Sequence, residues 1–236
     1  MWPFSTRRTL NDIRFFEDFT EMHCHLLPGV DDGIKRIEDT LKALELYEQA
    51  GVKKLWFTPH IMEDVPNHPD NLQKRFNEVC EAYSGNIELH LAAENMLDAL
   101  FEERLENKIL LPIGEDANRL LVETSYFNPP YDFDQLIAKV KSAGYYPVLA
   151  HPERYMYMDE DDYKKLKDNQ ILFQLNLPSI AGMYGKTVEE KAKMLLKKGW
   201  YDICSTDTHR VQQFDYLCNQ AKINTKVLKQ LVAQFK

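Results

Sequence analysis

The segment Phe19-Thr20-Glu21-Met22-His23-Cys24-His25-Leu26-Leu27-Pro28-Gly29-Val30-Asp31-Asp32-Gly33 sets the reading of the whole chain. A short strand-forming run, read at Phe19 to His23, ends in two imidazoles two positions apart and then in a glycine-flanked turn carrying carboxylates. Residues two apart in an extended segment face the same side, so His23 and His25 can address one ion while Cys24 faces away. Asp32 follows on the turn, with Asp31 as a turn residue or a support for the ligands.

The same event recurs along the chain. Further strands are read at Lys54 to Thr58, Ile87 to Ala92, Arg119 to Glu123, Tyr146 to Ala150, Ile171 to Leu175 and Asp202 to Ser205. Most of them finish in an imidazole or a carboxylate: His60, Glu94, Glu123, His151, then Asp207 and His209. Amphipathic stretches separate them, at Ile37 to Ala50, Asp70 to Tyr83, Leu97 to Glu106, Phe133 to Ala143, Glu160 to Asn169, Val188 to Lys198 and Asn224 to Phe235. Gly51, Gly144 and Gly199 mark helix stops. Strand and helix alternating in this way describe repeated βα units on a parallel sheet. Closing seven such units into a (β/α) barrel would bring every strand's carboxyl end to one rim, where distant residues meet.

Length and charge narrow the function classes. The 236 residues, 44% hydrophobic, suit one domain with a single core. A formal charge of −8 excludes a protein whose main task is gripping nucleic acid or anionic lipid. Cys24, Cys80, Cys204 and Cys218 form no C-x-x-C pair and imply neither a disulfide framework nor a zinc ribbon. The start lacks an apolar signal region and no later run is long enough to span a bilayer, so the expectation is a cytoplasmic protein without direct membrane insertion. The lysine-rich segments near Lys164 and Lys197 read as solvated helix faces.

His23, His25, Asp32, His60, Glu94, Glu123, His151, Asp207 and His209 are more donors than one ion can take. Imidazoles mixed with hard carboxylates suit Mn²⁺, Fe or Zn²⁺. Four carboxylates carry about four negative charges, which two divalent ions neutralise and three overbalance by about two, enough to attract a phosphate dianion. Three ions are therefore favoured, and a metal-dependent hydrolase is the expected chemistry. A bridging hydroxide would be the nucleophile. Arg154, three residues beyond His151, offers a planar fork of donors for phosphoryl oxygens. Asp207 and His209 can serve as ligands or handle the leaving-group proton. Gln174 and Asn176 can support the ligands, while Met62, Tyr126, Phe127 and Tyr184 can wall an aromatic ester. His68 and His90 fall outside the pattern as structural histidines.

In order, His23-Cys24-His25-Leu26-Leu27-Pro28-Gly29-Val30-Asp31-Asp32-Gly33, Thr58-Pro59-His60, Ala93-Glu94, Val122-Glu123, His151-Pro152-Glu153-Arg154-Tyr155 and Ser205-Thr206-Asp207-Thr208-His209 resemble the motifs of the polymerase and histidinol phosphatase (PHP) superfamily. The form is that of bacterial tyrosine-protein phosphatases of capsular and exopolysaccharide systems. The resemblance implies a single-domain distorted TIM-like (β/α)7 barrel of PHP fold over residues 18–236, behind an N-terminal extension at residues 1–17. It implies three divalent ions, manganese favoured, on the donors above, with Arg154 in the phosphate-holding place. The substrate implied is phosphotyrosine in a protein, a bacterial tyrosine kinase controlling polysaccharide export, with recruitment to the membrane through that partner. A small-molecule phosphomonoesterase of histidinol phosphate or nucleotide type and a non-catalytic regulatory barrel are the alternatives. Ile61 stands where many relatives carry a basic or imidazole side chain, and Cys24 where a small hydroxyl residue is commoner.

Overall fold

The computed structural model describes residues 6–236; of the extension read at 1–17, residues 1–5 lie outside the described residues. The strands in chain order are β1 (Arg7–Arg8), β2 (Thr20–Cys24), β3 (Lys54–Phe57), β4 (His60–Ile61), β5 (Glu88–Leu91), β6 (Glu94–Met96), β7 (Arg119–Glu123), β8 (Tyr146–Ala150), β9 (Leu172–Asn176), β10 (Ile203–Ser205) and β11 (Ile223–Asn224). The helices are α1 (Ile37–Ala50), α2 (Pro69–Ala82), α3 (Phe101–Glu106), α4 (Phe133–Ser142), α5 (Glu160–Asp168), α6 (Leu177–Ile180), α7 (Lys186–Lys198), α8 (Val211–Asn219) and α9 (Thr225–Phe235).

Local chemistry accounts for their ends. Helix α1 buries Thr40, Ala43, Leu44 and Tyr47 on one face and stops at Gly51, whose φ of 104° no β-carbon tolerates well. Helix α2 opens on a reciprocal cap: Asp70 N–H donates to the His68 ring, and His68 N–H to Asn71 Oδ1. Asp159 caps α5 by accepting from the N–H groups of Asp161 and Asp162.

The main strands pair in parallel as two ladders, β10-β9-β8-β7-β6-β4 and β2-β3-β5, with β1 and β11 antiparallel apart from them. The closed seven-strand ring expected from the alternation is thus not present as one continuous ladder. Its interruptions have local causes. The second run breaks at Thr58-Pro59, where proline has no N–H to give, and the third at Ala92-Ala93; beyond each break the run continues in the other sheet as β4 and β6. Single bonds cross the gaps: Ala92 N–H donates to Phe57 O at 2.8 Å and Glu94 N–H to Pro59 O at 3.1 Å. At the other seam Cys24 bridges Thr208, Asp207 N–H donates to His23 O, and His25 N–H to Thr208 O, both at 2.9 Å.

Strand alternation then sorts side chains onto two buried faces, as parallel sheets require. Leu120, Val122 and Leu149 pack outward with the helices in the large core. Trp56, Ala92, Leu121, Val148 and Ala150 form a separate inner cluster, with Leu172 and Ile203 against it. Two residues past Ala92, Leu121 and Leu172 come Glu94, Glu123 and Gln174, so the polar site rests on an apolar plug. The segment before β2 joins the large core: Leu10, Phe15 and Phe16 are buried, and the Phe16 ring lies 5.2 Å from those of Phe19 and Phe214.

Candidate metal centre

The ligand atoms of all nine sequence-predicted donors converge in four overlapping groups, each with its atoms within 4.8 Å of one another: His25, Asp32, His60 and His209; His23, His25 and Asp207; His23, Glu94 and His151; His60, Glu94 and Glu123. There is a gradient of depth. His23, His25, Glu94, Glu123, His151 and Asp207 are buried, whereas Asp32, with a side chain 70% exposed, and His60 and His209 form the rim.

Hydrogen bonding on the far side of the rings fixes which nitrogens face inward. His23 Nδ1 lies 3.0 Å from Gln174 Oε1, an amide oxygen because Gln174 Nε2 donates to Leu175 O. His25 Nδ1 lies 2.7 Å from Asp31 Oδ2, and His209 Nδ1 2.9 Å from the Asp207 carbonyl. All three partners only accept, so each Nδ1 carries the proton and each neutral ring presents a bare Nε2. The Nε2 atoms of His23 and His25 sit 3.2 Å apart, and that of His209 sits 3.4 Å from Asp32 Oδ1. Glu94 Oε2 lies 3.2 Å from each of His23 Nε2, His25 Nε2 and His60 Nδ1.

Lone pairs crowded on lone pairs repel unless a cation stands between them. His60 Nδ1, Glu94 Oε2, Glu123 Oε1, His151 Nδ1 and Asp207 Oδ1 are buried without a hydrogen-bond partner among the described residues. His60 Nδ1 and Glu123 Oε1 are 2.9 Å apart yet not aligned to bond. Orphaned polar atoms of this kind are costly in an interior and natural in a coordination cluster, so the donor set fits divalent ions.

The charges tell the same story with protons. Burial and the neighbouring His25 oppose protonation of His60, but Asp32, Glu123 and Glu94 outweigh them and push its pKa up to about 10. Burial likewise opposes a charge on His25, and Asp31, Asp207 and Glu94 lift it well above the ordinary imidazole value. Asp31 is buried, which would raise it, but His25 and the Gly33 N–H hold it down at about 2. Without cations, protons take their place.

Strand ends supply the geometry. His151, directly after β8, and Asp207, two residues past the end of β10, adopt φ of 33° and 49°, a left-handed backbone unusual for side chains with a β-carbon and concentrated at functional sites. Asp207 Oδ2 accepts from Asn176 Nδ2 at 2.8 Å and from Arg154 at 2.9 Å. The Arg154 guanidinium is sandwiched between the rings of Tyr126 and Tyr184, with Cζ 4.4 Å from each centroid. Its other N–H groups have no acceptor among the described residues. Tyr126, Arg154, Tyr184 and Asp207 line a cleft of about 490 Å³ with Asp32, His60, Glu94, His151, Met183, His209, Arg210 and Gln213.

Other predicted residues fall elsewhere. Met62 and Phe127 do not line the cleft, and Phe127 is 73% exposed. His68 caps α2, and His90 stacks on Trp56 at 4.1 Å. Cys24 is buried with Sγ toward the Trp56 carbonyl, and burial raises its thiol pKa well above the ordinary value. Ile61 is buried in the core, away from the cleft.

Sequence reasoning missed Glu21 and Glu153. Buried Glu21 accepts from the N–H groups of His23 and Thr206, tying β2 to the strand that delivers Asp207, and burial pushes its pKa up to about 7. Glu153 accepts from Asn176 N–H and the Tyr201 hydroxyl, bracing the turn that carries Arg154. Both were visible as acids at a two-residue or adjacent step from a proposed functional residue.

An α/β chain whose parallel strands end in a cluster of imidazole and carboxylate metal donors beside a stacked arginine is the class of protein these features define. Residues 19–230 match the family model described as capsular polysaccharide synthesis, CpsB/CapC, and the chain belongs to that family. It is 25% identical over 207 residues to the tyrosine-protein phosphatase YwqE of Bacillus subtilis (strain 168), covering 85% of this chain and 81% of the relative. It is 25% identical over 206 residues to the tyrosine-protein phosphatase CpsB of Streptococcus pneumoniae, covering 81% and 83%. Among solved structures it is similar in fold to a chain from the work on YwqE and CpsB, there called unique metal-dependent tyrosine phosphatases, with TM-score 0.76, 21% identity and coverage of 92% and 87%. A phosphotriesterase homology protein from Escherichia coli, solved with phosphate in its active site, matches with TM-score 0.52 at 11% identity, covering 92% and 91%.

Proposed function

We propose that this chain is a metal-dependent phosphatase that hydrolyses phosphotyrosine in a protein, a bacterial tyrosine kinase of capsular or exopolysaccharide synthesis. One observation carries the reading: nine converging donors, three of them imidazoles with a bare Nε2 turned inward, lie beside a half-buried arginine stacked on two tyrosines. Family membership supports the polysaccharide context.

Three ions, manganese favoured, partition the donors. His23, His25 and His209 each have one nitrogen committed to a protein acceptor, so each can serve only one ion, and the four overlapping groups cannot all fill. A division without sharing is His23, His25 and Asp207; Asp32, His60 and His209; and Glu94, Glu123 and His151. Bound ions supply Lewis acidity and lower the pKa of water from about 16 to about 7, which makes a nucleophile at neutral pH. Arg154 holds the phosphoryl oxygens, and its stacking between Tyr126 and Tyr184 removes most of the entropy that binding would otherwise cost. Asp207 would be a ligand on one oxygen and anchors Arg154 and Asn176 on the other, and those two N–H donors favour its anionic form. The departing phenolate, with an ordinary pKa near 10, makes a modest demand for a proton. Tyr126 and Tyr184 give the cleft an aromatic wall for the tyrosyl ring.

In this reading the two ladders act together as a distorted seven-strand TIM-like barrel of PHP type, and residues 18–236 form the catalytic domain. The protein works in the cytoplasm and reaches the membrane through its kinase. Among the described residues no helix is long and apolar enough to cross a membrane. The test is elemental analysis of the purified protein followed by turnover of a phosphotyrosine peptide and of histidinol phosphate. Bound transition metal with preference for the peptide is expected; preference for histidinol phosphate, or equal turnover after chelation, would sink the assignment.

A further inference from the structure

Beside the metal cleft lies a second groove of about 330 Å³, lined in part by Lys35, Arg36, Asp39 and Arg210, which shares Asp32 and His209 with the cleft. Arg210 borders both spaces, directly after His209. It is exposed, and it has no ion-pair partner among the described residues.

The neighbouring charges leave the groove positive. Lys35 Nζ is tied to the carbonyl of Asp31, a neutral acceptor that leaves its charge uncompensated. Arg36 pairs with Glu38, but both side chains are well exposed and such a pair screens little. Asp39 pairs with Lys42 at 3.4 Å, again between exposed side chains, so it offsets one of the three positive charges and leaves the groove with a net excess of about two. Asp32 belongs to the donor cluster. On a chain of formal charge −8, three cationic side chains gathered at the mouth of the cleft form a local attraction for anions that the rest of the surface opposes.

We propose that Arg210 determines specificity by reading an anionic side chain that flanks the phosphotyrosine on the substrate polypeptide. The proposal rests on the phosphatase reading and deepens it. The tyrosyl ring lies along Tyr126 and Tyr184, and the polypeptide that carries it leaves the cleft past Arg210. Arg210 does not hold the phosphoryl group, which belongs to Arg154 and the donor cluster. It is a positioning residue for the peptide and acts on KM.

The experiment uses the full chain loaded with manganese and three probes: p-nitrophenyl phosphate, a phosphotyrosine peptide with glutamates on both sides, and its lysine counterpart. The wild type should favour the glutamate peptide by about fivefold in kcat/KM through KM, the scale of an exposed ion pair, and the preference should fade at high salt. Arg210→Ala should abolish it, Arg210→Glu should turn it toward the lysine peptide, and Arg210→Lys should keep part of it. Hydrolysis of p-nitrophenyl phosphate and metal content should not change in any variant. Equal turnover of both peptides by the wild type, with the small ester still hydrolysed, overturns the role of Arg210 alone. Loss of the small ester in Arg210→Ala overturns it too, because the guanidinium would then act on the phosphoryl group. Failure of the loaded wild type on all three probes instead removes the phosphatase reading beneath it.

Discussion

Three imidazoles at this site, His23, His25 and His209, each give Nδ1–H to an acceptor-only group and turn Nε2 inward. The supports therefore matter nearly as much as the donors. Gln174→Ala frees the His23 ring and should lower metal affinity by about 10–100-fold, with activity restored by excess manganese; a metal titration that matches wild type would show that the Gln174 contact is idle. Arg154→Ala belongs to a different class. It should leave the metal content intact while lowering kcat by about 10²–10³, the scale of losing one preorganised donor to developing charge. Arg154→Lys should rescue little, since an ammonium neither forks nor stacks between Tyr126 and Tyr184 in the same way. Loss of metal in Arg154→Ala would mean that it acts by holding Asp207, not by touching substrate. The convergence of these side chains was readable from residue type and spacing because most of them follow the end of an apolar run. Glu21 was harder to see: it lies on the strand itself, and only the fold shows it reaching across to Thr206.

At the scale of elements, period-two and period-3.6 patterns located most strands and helices to within a few residues. The read helix at Leu97 to Glu106 begins only at Phe101, because Asp98 accepts from Leu100 N–H and forms a turn first. Helix α8 escaped notice although Phe214, Leu217 and Cys218 fall at helical spacing; it is short, and Arg210 at its start offers no side-chain cap. The split of the strands into two ladders was not readable either, since it depends on how Pro59 and the Ala92-Ala93 step pair with strands far away in sequence. The clearest departure concerns the amino-terminal segment, set apart in the sequence but packed into the core through Leu10, Phe15 and Phe16. Phe16→Ala should cost about 3–5 kcal/mol by emptying the space against Phe19 and Phe214. Chemical unfolding followed by tryptophan fluorescence would measure it, and a loss below about 1 kcal/mol would mean that the segment is a dispensable cover.

Over the whole molecule, the buried cluster makes stability depend on what neutralises it, and ions and protons compete for that task. In metal-free protein the raised pKa of His60 means that its contribution is fully present below the unfolded value near 6.5 and is lost as pH climbs through about 10. Glu21 acts with the same sign: its raised pKa makes the protonated form the compatible one, so stability present below the unfolded value near 4.5 declines as pH rises through about 7. Asp31 sets the acid limit, contributing above its unfolded value near 3.8 and failing as pH falls through about 2. The chelated protein should therefore melt at progressively lower temperature from about pH 5 to about pH 9, with each kcal/mol moving Tm by about 2–4 °C at this chain length. Metal ions reverse the order. They need deprotonated imidazoles, so loading should stabilise the fold most at neutral and alkaline pH, by about 2.7 kcal/mol per site once free metal exceeds its Kd a hundredfold, and the gain should vanish in acid as protons displace the ions. Melting curves of chelated and manganese-loaded protein across that range decide the matter: parallel curves, or a chelated protein that grows more stable toward alkali, would mean that the inward-facing groups do not exchange protons for cations.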